Sequence, residues 1–284
     1  MSIRMIKPTT SGQRGMRVIA YREVLTAGTT PRKSLVKGFK RSSGRNHRGV
    51  ITIQHRGGGA KQNIRLVDMY QQKMGIPAIV ESIEYDPGRT AFLALVLFAD
   101  GHRSYILAPE HLGVGDKIIY NPTTKIKPGN RLQLNNIPAG MLVHNIELVP
   151  GHGGQIVRSA GASATVMGFD SGYALLRMPS GEVRRVPEAG YASIGVVSNS
   201  EHMNIKIGKA GRTRWMGRRP QVRGKAKNPV DHPHGGGEGG SSIGLKHPKT
   251  RTGKPALGYK TRNKTKKSSK LIVKPRTKKR KGKK

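Results

Sequence analysis

The sequence contains no cysteine and few acidic residues, and each of these shortages excludes some classes of site or partner. The absence of cysteine excludes disulfides, thiolate nucleophiles and zinc sites built on cysteine. Only 15 Asp and Glu residues oppose 53 Lys and Arg residues, so the formal net charge is +38 in a chain of 284 residues. A compact surface that carried this charge alone would repel itself, which predicts a polyanionic partner.

Long apolar runs are also missing from the chain. The longest, residues 91–99, has nine residues, about half the length that a membrane span requires. The N-terminus has no apolar segment typical of a signal peptide, so we do not expect secretion. These features favour a protein of a reducing compartment that binds nucleic acid rather than an anionic membrane surface.

The positive charge is concentrated at the two ends of the chain. Residues 1–75 hold 16 basic and 2 acidic residues, and residues 201–284 hold 27 and 3. Between them, residues 76–150 hold 6 and 7, and residues 151–200 hold 4 and 3. The neutral middle also contains most of the apolar residues. We therefore predict a folded core with two basic extensions that have too little apolar surface to fold alone.

Short β-strands separated by frequent turns are predicted for this core. Apolar and β-branched runs are interrupted by turn residues, as at Asp86–Arg89 and Asp100–Gly101. Strands this short favour small barrels over a parallel sheet with helices. We expect two β-barrels in succession, divided near residues 121–130. The predicted strands cover residues 76–85, 91–98, 103–107, 116–120, 131–134, 156–158, 164–169, 173–178 and 182–186.

Glycine and basic residues are mixed in three segments of the chain, residues 44–49, 55–61 and 212–223. Arginine pairs with phosphate oxygens bidentately, and glycine lets backbone N–H groups approach a phosphate closely. Trp215 either stacks on an unpaired base or fills an apolar gap at the barrel edge. The candidate RNA-binding residues of these segments are Arg45, His47, Arg48, His55, Arg56, Lys61, Arg212, Arg214, Trp215, Arg218, Arg219 and Arg223.

The most unusual segment is NPVDHPHGGGEG at residues 228–239. It allows a metal site made of its two histidines and two acids, or an acid–base pair of Asp231 and His232. The His-Pro-His spacing belongs to no familiar metal site, so we predict neither a metal nor another cofactor. We favour a loop folded against RNA. Its candidate RNA-binding residues are Asn228, Asp231, His232, His234, Gly235, Gly236 and Gly237.

The C-terminal run TKKRKGKK, residues 277–284, is a candidate for a solvated tail, a localisation signal, a membrane patch or a nucleic-acid arm. No amphipathic helical spacing accompanies the run, and Pro275 precedes it, which disfavours a membrane helix. We therefore expect an arm that binds phosphate.

Several motifs are long enough to be specific. They are GRNHRG at residues 44–49, IEYDP at 83–87, VHNIE at 143–147 and RSAG at 158–161. Together with the loop at residues 228–239, they resemble the universal family of large-subunit ribosomal protein number two, in its bacterial or organellar form. The resemblance spans roughly residues 1–276. Ala60, Lys227 and Gly240 depart from the residues usual in that family.

The resemblance implies an all-β core, with an OB-fold barrel followed by an SH3-like barrel and with long basic irregular extensions. The corresponding domains are a basic N-terminal extension (1–40), an OB-fold RNA-binding domain (41–122), an SH3-like barrel domain (123–200) and a basic Gly/Pro-rich C-terminal extension (201–284). Through its motif, Arg158 joins the candidate RNA-binding residues, and His232 corresponds to the family's loop histidine.

The resemblance also implies a function. It predicts a structural constituent of the large ribosomal subunit, without catalysis, that binds large-subunit rRNA and supports subunit association, tRNA placement and the peptidyl-transferase region. The implied partners are rRNA, neighbouring ribosomal proteins, the small subunit and, indirectly, tRNA, with no membrane and no homo-oligomer. The implied location is the ribosome, in the cytoplasm or in the stroma or matrix of an organelle.

Two other functional classes compete with this interpretation. A free nucleic-acid-compacting protein would explain the charge, but it gives no reason for the loop at residues 228–239. An RNA-acting enzyme would use Asp231, His232 and Glu238, but the chain has no recognisable nucleophile or cofactor signature.

Overall fold

The computed structural model describes residues 3–258, 260–263 and 265–276. The chain divides into two compact units by its internal contacts. We call the described residues among 1–40, 61–209 and 268–284 the barrel unit, and the described residues among 41–60 and 210–267 the basic unit. Residues 41–60 therefore group with the C-terminal segment rather than with the neutral core.

The regular secondary structure of the described residues consists mostly of short strands, and their two α-helices are also short. The helices are α1 (Tyr21–Val24) and α2 (Ala210–Trp215). In the described part of the chain, no helix has the length and apolar character needed to cross a membrane. The strands are β1 (Ile3–Met5), β2 (Arg17–Ile19), β3 (Val36–Gly38), β4 (Asn63–Arg65), β5 (Ala78–Glu84), β6 (Leu93–Phe98), β7 (Arg103–Leu107), β8 (Lys117–Ile118), β9 (Arg131–Gln133), β10 (Leu142–His144), β11 (Ala164–Asp170), β12 (Tyr173–Arg177), β13 (Val183–Pro187), β14 (Tyr191–Ile194) and β15 (Ile272–Lys274).

The first barrel of the barrel unit is an antiparallel sheet in the order β7-β6-β5-β8. Strand β5 alternates buried and more exposed side chains, as a strand with one face on the core does. Strand β6 is almost wholly buried because its two faces meet different apolar clusters. Ala94, Val96 and Phe98 join one cluster, and Leu93 and Leu95 join the other. The continuous apolar run in the sequence is explained by this double burial.

The second barrel is an antiparallel sheet in the order β15-β13-β12-β11-β10-β14-β9. A β-bulge between Val166 and Gly168 shifts the register of β11 against β12. Such a bulge increases the local bend and twist of the strand. The core lies on the inner face of this sheet, and Val143, Ala164 and Leu176 within it are fully buried.

The predicted all-β core and most predicted strands are confirmed. The hairpin turn at Asp100–Gly101 is also confirmed, since the Gly101 N–H donates to the Phe98 carbonyl over 2.9 Å. The strand predicted at residues 156–158 is wrong. Ile156 forms only an isolated bridge, and Val157 has a φ of +56°, which ends the extended backbone. The sequence pattern did not indicate β10 or β14.

The basic extensions are not irregular throughout. Strand β1 pairs with β2, and β3 pairs with β4. Near the C-terminus, β15 pairs with β13 of the second barrel, where Val183 lies opposite Lys274. The predicted tail at residues 277–284 lies outside the described residues.

A buried ion pair lies in the second barrel. Arg131 and Glu147 are 1% and 3% exposed, and the Arg131 Nη2 donates to Glu147 Oε1 over 2.9 Å. Arg131 Nη1 also donates to the Asn145 carbonyl, and Glu147 Oε2 accepts from the Gly151 and Tyr191 N–H groups. Burial lowers the pKa of Arg131, and the charge of Glu147 opposes that shift. The pair therefore fixes three backbone segments around one site.

Candidate nucleic-acid interface

The basic unit has a large excess of positive charge, and its described residues form no apolar core. Residues 41–60 and 210–267 hold 20 Lys and Arg residues against 2 acidic residues. Among the described residues, every buried hydrophobic side chain belongs to the barrel unit. Backbone hydrogen bonds alone rarely stabilise such a segment, because they replace bonds to water at little net gain. The composition of this unit indicates a polyanion as its binding partner.

The first segment of the basic unit forms a tight turn that presents basic side chains to solvent. Asn46 Oδ1 accepts hydrogen bonds from the N–H groups of Arg48 and Val50 at 3.0 and 3.1 Å. Arg45, His47 and Arg48 are all exposed around this turn. The turn is therefore fixed by an internal side chain, while three predicted RNA-binding side chains point outward.

The second segment pairs with residues far along the chain. The Gly57 N–H donates to the Gly217 carbonyl over 2.9 Å, and the Ala60 N–H donates to the Trp215 carbonyl over 2.8 Å. An isolated β-bridge joins Arg56 to Arg218. This backbone pairing brings the predicted residues of the second segment next to those of the third. The residues brought together are His55, Arg56, Arg214, Trp215, Arg218 and Arg219.

Trp215 ends α2 and is 58% exposed. The interpretation that it fills an apolar gap is therefore wrong, because a filling side chain would be buried. Its neighbours Arg212 and Arg214 lie on the same short helix. An exposed indole among guanidinium groups is the arrangement that stacks on unpaired bases.

The loop at residues 228–239, which we call the histidine loop, is closed by its own backbone. The Gly235 N–H donates to the His232 carbonyl over 2.8 Å, and the Gly236 N–H donates to the Lys227 carbonyl over 3.0 Å. A Cβ atom on Gly235 would lie 2.3 Å from the Asn228 carbonyl oxygen. The packing of the loop itself therefore requires glycine at this position. The sequence alone suggests a different reason, namely that glycine lets RNA approach the backbone.

The two histidines of the loop accept hydrogen bonds from backbone N–H groups. His232 Nδ1 accepts from the N–H of His234 over 3.0 Å, and His234 Nε2 accepts from the N–H of Lys249 over 2.8 Å. The two rings lie 4.7 Å apart between centroids. Desolvation, followed by the charges of His234 and Lys227, lowers the pKa of His232. A ring nitrogen that accepts a hydrogen bond carries no proton, so the bond within the loop uses the unprotonated Nδ1 of His232.

This geometry bears on the metal and acid–base alternatives. Because Nδ1 of His232 accepts a hydrogen bond, it carries no proton to donate to Asp231, whose side chain is exposed. The described ranges contain no cluster of three metal-binding side chains. One nitrogen of each imidazole thus holds the backbone, His232 Nδ1 within the loop and His234 Nε2 at Lys249.

The remaining predicted residues are distributed over both units. Arg223 and Asn228 belong to the basic unit, where both are exposed. Lys61 and Arg158 belong to the barrel unit. Arg158 Nη1 donates to the Gly154 carbonyl over 3.2 Å. The candidate residues thus do not all belong to the basic unit.

Sequence reasoning missed an apolar feature of the basic unit. Val50, Ile51 and Ile53 are 59%, 51% and 57% exposed, immediately after the turn that presents Arg48. Ile51 and Ile53 alternate with the polar residues Thr52 and Gln54, which is typical of a half-buried strand, yet no strand forms there. Apolar side chains exposed beside guanidinium groups can contact bases or sugars once phosphate is bound.

Two small β-barrels, combined with a glycine-rich basic unit whose described residues include no buried hydrophobic side chain, define a nucleic-acid-binding protein. Residues 32–120 match the family described as Ribosomal Proteins L2, RNA binding N-terminal domain, and residues 127–253 match Ribosomal Proteins L2, C-terminal domain. The chain belongs to the ribosomal protein L2 family. It is a structural, RNA-binding constituent of the ribosome, as the motifs of the sequence predicted, and its barrels are those of an OB-fold and an SH3-like domain.

Proposed function

We propose that the basic unit binds the ribosomal RNA of the large subunit, and that the predicted residues of both units form its contacts. The observation that carries the proposal is a unit with 20 basic and 2 acidic residues whose arginine segments are held together by backbone pairing without an apolar core. The phosphates of RNA would supply the counter-charge that the unit lacks. Exposed Trp215 and the arginines beside it would stack on unpaired bases.

We also propose that the protein acts as a scaffold and not as an enzyme. The His232 imidazole is used to close the histidine loop, which suits a part that positions RNA and does not shuttle protons. In this role the loop would help to organise the peptidyl-transferase region and tRNA placement, and other surfaces would support subunit association. Neighbouring ribosomal proteins and the small subunit would be the protein partners, without a homo-oligomer or a membrane, in the cytoplasm or in an organelle.

Salt-dependent binding tests the proposal. We expect the affinity for a large-subunit rRNA fragment to fall steeply with salt, by about 0.7–0.9 in log affinity per phosphate contact for each unit of log salt. Replacing Arg56 and Arg218 by alanine should reduce this slope. Arg103→Ala is the matched control, because Arg103 pairs with Glu81 in the first barrel.

The same assay separates a ribosomal protein from a nucleic-acid-compacting protein. A ribosomal RNA-binding protein should prefer its rRNA fragment over an unrelated RNA of equal length and over heparin at physiological salt. Equal affinity for all three polyanions would contradict the proposal. An unchanged salt slope in the double variant would show that Arg56 and Arg218 do not contact phosphate.

A further inference from the structure

A cavity outside the basic unit lies where the two barrels of the barrel unit meet. Its volume is about 90 Å³, several times the room that one water molecule needs. The accessible surface of its lining is largely apolar, and Tyr70 and Met74 in that lining are 57% and 49% exposed, so the cavity reaches the surface. The lining residues are Tyr70, Gln71, Gln72, Met74, Tyr120, Arg131, Glu147, Gly151 and Tyr191.

Two polar groups in the lining have no protein partner. Gln71 and Tyr120 are 4% and 2% exposed. Neither Gln71 Oε1 nor the Tyr120 hydroxyl has a hydrogen-bond partner among the described residues. A buried polar atom without a partner is costly, so such atoms point to a bound group. Burial raises the pKa of Tyr120, so its hydroxyl keeps its proton and can donate as well as accept.

The backbone conformation of Gln71 is strained. Its φ is +51°, in the left-handed region that residues other than glycine seldom adopt. Asp68 Oδ1 fixes the turn by accepting from the Gln71 N–H over 2.7 Å. The Gly154 N–H donates to the Met69 carbonyl, and the Asp68 N–H donates to the Tyr105 carbonyl, so the turn is attached to both barrels. Local strain of this kind is found most often at binding sites.

We propose that this cavity takes an unpaired nucleobase of the bound RNA. The base would stack against Tyr70 and Met74 at the rim. Its edge would present a donor to Gln71 Oε1 and a hydrogen-bonding group to the Tyr120 hydroxyl. Adjacent donors and acceptors on a planar ring are what the edges of the bases offer, and proteins read such edges on bases that are splayed out of a helix. The inference rests on the proposed function, since the base belongs to that RNA.

The two charged residues of the cavity lining, Arg131 and Glu147, do not compete for the base. Both oxygens of Glu147 already accept hydrogen bonds, from Arg131 and from the N–H groups of Gly151 and Tyr191. The Glu147 carboxylate also offsets the charge of Arg131, so the cavity suits a neutral ring better than a phosphate. Gln71 and Tyr120 are therefore the groups that would select the occupant.

Chemical probing of the complex tests this inference. The full-length protein is bound to a bacterial-type large-subunit rRNA, and dimethyl sulfate and a carbodiimide report which base edges are covered. Tyr120→Phe and Gln71→Leu each remove one of the two unpartnered groups. Tyr85→Phe is the matched control, because Tyr85 is 47% exposed and lies outside the cavity lining. Circular dichroism melts verify that each variant folds.

We expect one nucleotide that the wild-type protein protects to become roughly fivefold more reactive with Tyr120→Phe and with Gln71→Leu, while the rest of the footprint stays. Tyr85→Phe should give the wild-type footprint. If both cavity variants fold and leave every nucleotide protected as in the wild type, the inference is overturned while RNA binding stands. If the wild-type protein gives no footprint, the proposed function falls and the inference falls with it.

Discussion

Replacing Gly235 by alanine tests whether the glycines of the histidine loop serve the loop itself or the approach of RNA. A Cβ atom there would lie 2.3 Å from the Asn228 carbonyl oxygen and 2.6 Å from that of Lys227. Favourable carbon contacts lie at about 3.5–4.0 Å. Both clashing atoms belong to the backbone, so a rotamer change cannot relieve the overlap. Overpacking of this kind costs about 1–3 kcal/mol, and we expect the closed loop to lose that much stability.

Two measurements report the opening of the loop. An NMR titration of His232 in the free protein should show its pKa rising towards the ordinary value, because an open loop hydrates the ring and separates it from His234 and Lys227. The affinity for rRNA should fall with the fraction of closed loop. A cost of about 1–3 kcal/mol corresponds to a loss of about 5- to 150-fold.

Gly239→Asn is the matched control for the Gly235 variant. Gly239 has a φ of +70°, and a Cβ atom there would meet nothing within 4 Å. Asparagine tolerates this conformation, so both the His232 pKa and the affinity should stay near those of the wild type. The reasoning is refuted if Gly235→Ala keeps the lowered pKa of His232 and still loses affinity, since the glycine would then serve the contact with RNA.

Three further predictions concern the barrel unit. Burial lowers the pKa of His144 to about 4 from 6.5, so the free energy of unfolding should fall by about 3 kcal/mol as the pH drops through that range. His144→Asn, which keeps a donor for the Gly195 carbonyl, should remove this component in urea titrations, and an unchanged pH dependence would contradict it. Arg131→Met should cost about 3–5 kcal/mol by leaving Glu147 buried without its partner, and a loss below about 1 kcal/mol would refute that. Deleting residues 271–284 should lower the melting temperature by a few degrees, because this deletion removes β15. Deleting only residues 277–284 should leave the melting temperature unchanged. Equal melting temperatures for the two deletions would show that β15 adds no stability.

Local patterns in the sequence were sufficient for most of the core strands but did not indicate β10 or β14. The Asp100–Gly101 turn and the apolar run of β6 are signals contained within a few residues, and both are found in the structure. The strand predicted at residues 156–158 failed because Val157 adopts a left-handed conformation, which a β-branched residue seldom does. Tertiary contacts decide such a position, and the sequence around it carries no sign of them.

The candidate site was predictable in its residue types but not in its assembly. Clusters of arginine and glycine indicated RNA binding without any knowledge of the fold. The pairing of Gly57 with Gly217 could not be predicted, because it joins segments separated by most of the chain and lacks an alternating pattern. The structural use of the His232 ring was also hidden, since the same residue types would suit a metal or an acid–base pair.

The pairing of β15 with β13 has a consequence for the order in which the protein is completed. Strand β13 is synthesised well before β15, so the second barrel emerges with one edge uncovered. An uncovered edge presents unpaired N–H and C=O groups to any other extended chain. Domains generally fold as they are made, from the N-terminus onward. Until residues 272–274 have been synthesised, the edge strand β13 of the nascent barrel can therefore pair with a wrong strand. The pairing of β15 with β13 ends this period.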